Sequence, residues 1–260
     1  MKNVVILILS LLIISGCVTH NVIYRQNTQD KFEIPPLPKW VYNTPENFVV
    51  GISQKSMNPD EMHEAAKQMA AVMKSRNDAS YTIEKYASTS NDNTLKSNIT
   101  EFKLNVSSSP QKTEQVYNSL ELVDSIEALG YFIGLFSSTN MEINASYKKP
   151  FIQRIPEYFE KDNLEISDNT INCYKTVSSS SLILAWENAA EEARYEIAKY
   201  LEKKVQSAII NIDDVITEKR IALETSEKLS EMRLKTSFIT TELKDNLRLF
   251  KVYHEMEISK

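Results

Sequence analysis

Glycine is scarce: four residues in 260. None falls in a pattern that could cradle a phosphate, which excludes a Gly-rich nucleotide loop. Cysteine is scarcer still, with only Cys17 and Cys173. The three histidines, His20, His63 and His254, lie far apart, and neither H-E-x-x-H nor C-x-x-C spacing occurs. No metal-ligating set is readable, and each histidine reads as a surface residue. Basic charge is not in excess: 30 Lys and Arg stand against 35 Asp and Glu, a net charge of −5. With no basic cluster, the chain lacks the electrostatic footprint of a nucleic-acid binder. No apolar run reaches the ~20 residues that a spanning helix needs.

What is present begins at the amino terminus. Lys2 supplies a positive charge, and Val4 to Ile14 is apolar apart from Ser10. A charged start, a short apolar core and small residues after it read as a signal peptide. The junction Ile14-Ser15-Gly16-Cys17 resembles the bacterial lipobox: an aliphatic residue, two small residues, then the cysteine that takes diacylglycerol as a thioether. The small residues let a peptidase approach the backbone. The chain is therefore expected to be exported, cut before Cys17 and held by lipid on that thiol. Loss of residues 1–16 removes only Lys2 among the charges, which takes the net charge from −5 to −6. An acidic chain does not spread over anionic lipid, so the acyl chains do the anchoring, and two or more hold stably where one does not. With Cys17 lipidated, Cys173 has no internal disulfide partner. No aspartate follows Cys17, where Val18 and Thr19 stand, so the outer membrane is favoured if two membranes are present. No cofactor is expected beyond the covalent lipid.

Residues 17–39 read as a lipidated tether, stiffened by Pro35, Pro36 and Pro38. Beyond it a pattern occurs twice. Phe48 to Ile52 is a short β-type run, and Asn58-Pro59-Asp60 starts a helix. Met62, Ala65, Ala66, Met69, Val72 and Met73 share one helical face, in a helix that could continue to Ala87. Phe102, Leu104 and Val106 alternate as a strand, and Leu120 to Ile126 and Tyr131 to Phe136 flank a hairpin turn at Glu127 to Gly130. Then Ile171 to Val177 is again strand-like, and Ser178 to Ser181 caps a second helix. Its face carries Leu182, Ala185, Trp186, Ala189, Ala190, Ala193, Ile197, Tyr200, Leu201 and Val205. Ala65-Ala66 falls on Ala189-Ala190 at an offset of 124 (65 to 189), and the flanking strand and serines align with it. Phe250, Val252, His254, Met256 and Ile258 alternate in a closing strand. The fold expected is α+β: two related modules at 40–138 and 171–260, each a long alanine-rich helix on an antiparallel sheet, joined by a linker at 139–170. Alanine on the buried face lets a helix lie close to its sheet at little entropic cost.

Pro38-Lys39-Trp40-Val41, Val49-Val50-Gly51-Ile52-Ser53 and Ala189 to Ala198 resemble the LPP-twenty type bacterial lipoproteins and the related amino-terminal domain of flagellar assembly protein T. The likeness runs over about 38–138 and more loosely over 155–260. It implies a small α+β module in a non-enzymatic outer-membrane protein.

Catalytic sets are not evident. Cys173 lies in an apolar strand, where cysteine acts as a small hydrophobe. Ser107 to Ser109 and Ser178 to Ser181 lack a G-x-S-x-G context. Glu191, Glu192, Glu196, Glu202, Lys199, Lys203 and Lys204 read as a solvated helix face. Val215 to Leu234 could extend the second helix or form an arm for self-association. Tyr117, Tyr131, Phe132 and Phe136 read as core packing. The function expected is that of an envelope lipoprotein acting as a structural or interaction module, with envelope proteins, the cell wall or a second copy as partners. The alternatives are a ligand-binding or enzymatic module with a cleft between the two units, and an accessory to flagellar or other surface machinery.

Overall fold

A computed structural model describes residues 34–78, 81–85, 102–106, 108–152, 154–160, 163–208 and 232–259. The segments read as a leader, a lipobox and most of a tether, with Cys17 and His20, lie outside the described residues. The first described elements are strand β1 (Leu37–Pro38) and a single helical turn α1 (Lys39–Tyr42), whose Trp40, Val41 and Tyr42 are all buried. Strand β2 (Phe48–Gln54) follows, then helix α2 (Pro59–Asn77). Pro59 suits the first helical position, where its missing N–H costs nothing. Asn58 Oδ1 accepts from the Asp60 N–H at 3.2 Å, which satisfies one of the orphan donors of the first turn.

Between α2 and the closing hairpin lie β3 (Tyr81–Lys85), β4 (Phe102–Val106) and helix α3 (Pro110–Ser119). β3 and β4 form their own two-stranded antiparallel ladder. The hairpin is β5 (Glu121–Ala128) and β6 (Tyr131–Ser137). The second half contains α4 (Ala145–Lys148), β7 (Pro150–Phe151), a 3₁₀ turn at Glu157–Glu160, β8 (Asn163–Ile166), β9 (Thr170–Ser179), helix α5 (Leu182–Ala208), β10 (Arg233–Lys244) and β11 (Leu247–Ser259).

The fold is α+β, with two helix-on-sheet layers of one topology. The first sheet runs β2-β6-β5 and the second β10-β11-β9-β8, all neighbours antiparallel. In both, the strand before the long helix pairs with the last strand, and the last strand pairs back with its hairpin partner. Both hairpins turn through two left-handed residues, Leu129 (φ 60°) with Gly130 (φ 84°), and Asp245 (φ 51°) with Asn246 (φ 63°). That two-residue geometry matches the right-handed twist of the flanking strands. In both, the hairpin's first strand bulges near its start, between Leu122 and Asp124 and between Leu234 and Thr236.

Helix α2 lies close on its sheet because Gly51 has no side chain. A Cβ there would sit 2.0 Å from the carbonyl oxygen of Ala66. The buried stripe of α2 is Met62, Ala66, Met69, Ala70, Ala71, Met73 and Ser75. Ala65 is exposed and Val72 half-buried, so the stripe is turned slightly from the one expected. Helix α5 buries Leu182, Ala185, Trp186, Ala189, Ala190, Ala193, Ile197 and Leu201 of the expected face and adds Arg194 and Ala198, while Tyr200 is half-buried and the Val205 side chain lies outside the described ones.

Three sequence expectations change. Helix α2 stops at Asn77 and does not reach Ala87. The segment 139–170, read as a linker, is built into the body: Ile143 and Phe159 are buried, and β8 is the edge strand of the second sheet. The tether ends before residue 39, because Leu37 is fully buried and pairs with Phe151. Phe32–Lys260 forms one compact unit, and one apolar cluster draws residues from both layers. The modules are fused through a common core.

Candidate functional site at the junction of the two layers

Arg194 is the only buried cation among the described residues, and it lies on the alanine face of α5. Burying a guanidinium is costly unless every donor finds a partner. Here Nε and Nη2 donate to Asn77 Oδ1 at 3.0 and 2.6 Å, Nη2 also reaches the Met73 carbonyl at 3.3 Å, and Nη1 donates to Glu191 Oε1 at 2.8 Å. Glu191 Oε1 takes a second donor, Arg76 Nη1, at 2.6 Å. One carboxylate therefore bridges an arginine from each long helix. The Met73 carbonyl and Asn77 sit in the last turn of α2, where the helix dipole favours a cation. Burial lowers the Arg194 pKa to about 10, opposed by Glu191. Burial also raises that of Glu187 one turn before, opposed by Arg76. Asn77 does more: its backbone carbonyl accepts the Met232 N–H at 3.2 Å, which ties the start of β10 to the end of α2.

Next to this network lies His254, fully buried on β11. Its Nε2 is 3.0 Å from the Trp186 carbonyl, which can only accept, so Nε2 carries the proton. Nδ1 then accepts from Ser237 Oγ at 3.0 Å. The imidazole meets the Trp186 ring edge-on at 4.5 Å between centroids. Burial lowers its pKa to about 3, helped by the charge of Arg194 and opposed by the hydrogen bond to Trp186. His254 was expected at the surface, and the structure places it in the core. The alternation Phe250, Val252, His254, Met256, Ile258 was the signal, because one parity of a strand shares one face. The Ser237–His254 pair has the atoms of a nucleophile and a base. Both residues are shut from solvent, so the pair is a core hydrogen bond.

Trp186 completes the junction. Its buried indole Nε1 has no hydrogen-bond partner, and the residue borders a cavity of about 70 Å³. Met73, Asn77, Arg233, Leu234 and the loop 44–48 line it too.

The other side of the second sheet carries aromatics and charges. Phe159 meets Tyr174, Phe238 and Tyr253 edge-on at 5.3, 5.4 and 6.0 Å. Lys235, at the bulge of β10, reaches Glu255 at 3.0 Å and Glu257 at 2.9 Å. Burial alone would raise the Glu257 pKa, but hydrogen bonds from Lys235 and Arg233 outweigh it and hold it below the usual carboxylate range.

The remaining sequence-derived residues fall as follows. Ile14, Ser15, Gly16, Cys17 and His20 lie outside the described residues. His63 is exposed on α2, its ring 4.7 Å from that of Phe132. Cys173 is buried in β9. Ser109 caps α3, a helix the sequence reading missed, through its Oγ to the Lys112 N–H at 3.2 Å. Ser181 Oγ accepts from the Leu184 N–H at 3.5 Å at the start of α5. Glu191, read as part of a solvated face, is half-buried in the arginine network. Phe132 and Phe136 are buried, and the Tyr131 hydroxyl accepts the Leu182 N–H at 3.1 Å across the two layers. Most of 215–234 lies outside the described residues. Among the described residues no three His, Cys, Asp or Glu side chains converge as metal ligands, and no helix is long and apolar enough to cross a membrane. Comparison with family models, with curated proteins and with solved structures gave no match to this chain.

Proposed function

We propose that this chain is a lipid-anchored bacterial cell-envelope protein whose body is a structural or interaction module without catalysis. The observation that carries the reading is the run Ile14-Ser15-Gly16-Cys17 directly after a short apolar segment with a charged start. The resemblance of the Trp40 and Gly51 regions to LPP-twenty type lipoproteins points the same way. The junction adds support of a different kind. Arg194 is turned inward onto α2, and His254 onto Ser237 of β10 and the Trp186 carbonyl of α5, so these polar groups are spent on holding the elements together, which suits a structural body. The partners proposed are envelope proteins or a second copy, with the outer membrane favoured where there are two. Growth of cells with radiolabelled palmitate tests the anchor. The wild-type chain is expected to incorporate label, and Cys17→Ala to lose it while keeping its leader. A Cys17→Ala chain that still labels overturns the reading.

A further inference from the structure

The chain holds the acceptor pattern of N-linked glycosylation, Asn-x-Ser/Thr with x not proline, at three places: Asn98-Ile99-Thr100, Asn105-Val106-Ser107 and Asn144-Ala145-Ser146. So short a pattern arises by chance, and its surroundings decide whether it can be used. The bacterial form of the reaction asks in addition for a carboxylate two residues before the asparagine. Lys96 and Lys103 stand there for the first two, and Glu142 for the third. The structure separates them again. Asn98 lies outside the described residues, and Asn105 is held in β4 opposite Thr82 of β3. Asn144 lies in the connection between β6 and β7, as the residue that caps the single turn α4. Glu142, Asn144, Ala145 and Ser146 are all exposed, whereas Ile143 is buried and pins the loop to the body.

The local backbone favours the chemistry. Asn144 Oδ1 accepts the Ser146 N–H at 2.9 Å, an Asx turn closed by the first and last residues of the pattern. That bond engages the amide oxygen and leaves Nδ2, the atom that reacts, outside it. We propose that Asn144 is an acceptor for an N-linked glycan, with Glu142 and Ser146 as the side chains that the transferase reads. The donor is a glycan on a polyprenyl diphosphate. Nδ2 attacks C1 of its first sugar, the N–C1 bond forms and the C1–O bond to the diphosphate breaks. The nitrogen gives up one proton, and the polyprenyl diphosphate leaves with the electron pair. In the cell this rests on the export proposed above, because the transfer takes place outside the cytoplasm.

The test incubates the purified full-length chain in detergent with a bacterial oligosaccharyltransferase and a polyprenyl-diphosphate-linked oligosaccharide. A free acceptor peptide in the same tube serves as the standard of transfer. The reaction runs outside the cell, so its outcome is independent of export, which the palmitate label checks separately. The tryptic peptide 113–148 has Asn144-Ala145-Ser146 as its only acceptor pattern. Mass spectrometry is expected to show that peptide heavier by one oligosaccharide. Ser146→Thr is expected to keep the gain, and Asn144→Gln and Ser146→Ala to lose it. Glu142→Gln is expected to lower the yield about tenfold, since hydrogen bonds to a charged group are the strong kind. The substituted residues are exposed, and an unchanged urea midpoint reports an intact fold. A 113–148 peptide that gains nothing while the standard is glycosylated overturns the site, as does a gain that survives Asn144→Gln. A full yield from Glu142→Gln overturns the role given to Glu142.

Discussion

The two layers share a topology and differ in what they keep inside. Around α2 and its sheet the buried polar groups are the hydroxyls of Ser53, Ser75 and Ser137, and contact is close because Gly51 yields its space to the Ala66 carbonyl. Around α5 and its sheet the interior holds an arginine bonded to Asn77, Met73 and Glu191, and beside it a serine–histidine pair bonded to the Trp186 carbonyl. The arginine does not serve its own layer alone. Arg194 grips the last turn of α2, and Asn77 of α2 holds the first residue before β10. Two layers of one topology are thus joined asymmetrically: α2 supplies the socket, the Asn77 side-chain oxygen and the Met73 carbonyl, and α5 supplies the arginine that fills it.

The sharpest way to break this asymmetry is Arg194→Ala. It leaves Glu191 and Asn77 without their buried partner, and the loss of one member of such a set costs about 3–5 kcal/mol. Urea unfolding is expected to show that loss. If the stability is unchanged, the fusion does not depend on the arginine. Next is pH. The folded-state pKa of His254, about 3, lies below its ordinary 6.5, so the unfolded chain binds the proton more readily. Its contribution is full above 6.5 and is lost as pH falls toward 3. By pH 4 the loss attributable to this group is about 3 kcal/mol, at 1.36 kcal/mol per unit. His254→Gln is expected to flatten that part of the wild-type curve, and an unchanged slope would show that the group does not titrate between the two states. The first layer is tested by Gly51→Ala, whose methyl must push α2 off its sheet. Overpacking of this kind costs about 2 kcal/mol, read as a lowered midpoint in the same denaturation. The smallest effect is expected on the outer face of the second sheet. Glu257→Gln weakens the bonds from Arg233 and Lys235 at a partly solvated place, for about 1 kcal/mol. The native carboxylate's contribution disappears as pH drops below its ordinary pKa, since its folded pKa is depressed.

Much of the layered architecture was legible. Asn58-Pro59 marked the start of α2 and the alanine spacing marked the face of α5, because capping chemistry and helical period are local signals. The first hairpin and the closing strand β11 were legible from alternation, whereas β10, the partner of β11, was not read as a strand. Other elements were not. β1 and β7 are two residues each, too short for any period, and they exist only because distant segments meet. Helix α3 carries no buried residue, so its start at Ser109-Pro110 was its only signal. The junction was partly visible: Arg194 stands four residues after Ala190 and three before Ile197, which places it on the buried stripe, but the groups on α2 that let it be buried lie more than a hundred residues away in sequence. The vacant indole of Trp186 left no trace in the sequence, because whether a buried donor is met depends on all the elements around it.

The pairing of Leu37 with Phe151 and of Pro38 with Pro150, backed by the Lys39 N–H on the Lys149 carbonyl at 3.0 Å, has a mechanical side. A pull applied to residue 36 reaches this clasp first, then the buried Trp40 behind it. The load is passed to the middle of the chain at residues 149–151, so β2 is not the strand that gives way at the start. The helix-on-sheet layers are spared until the clasp has opened, as a fabric is spared by a stitched seam at its hem.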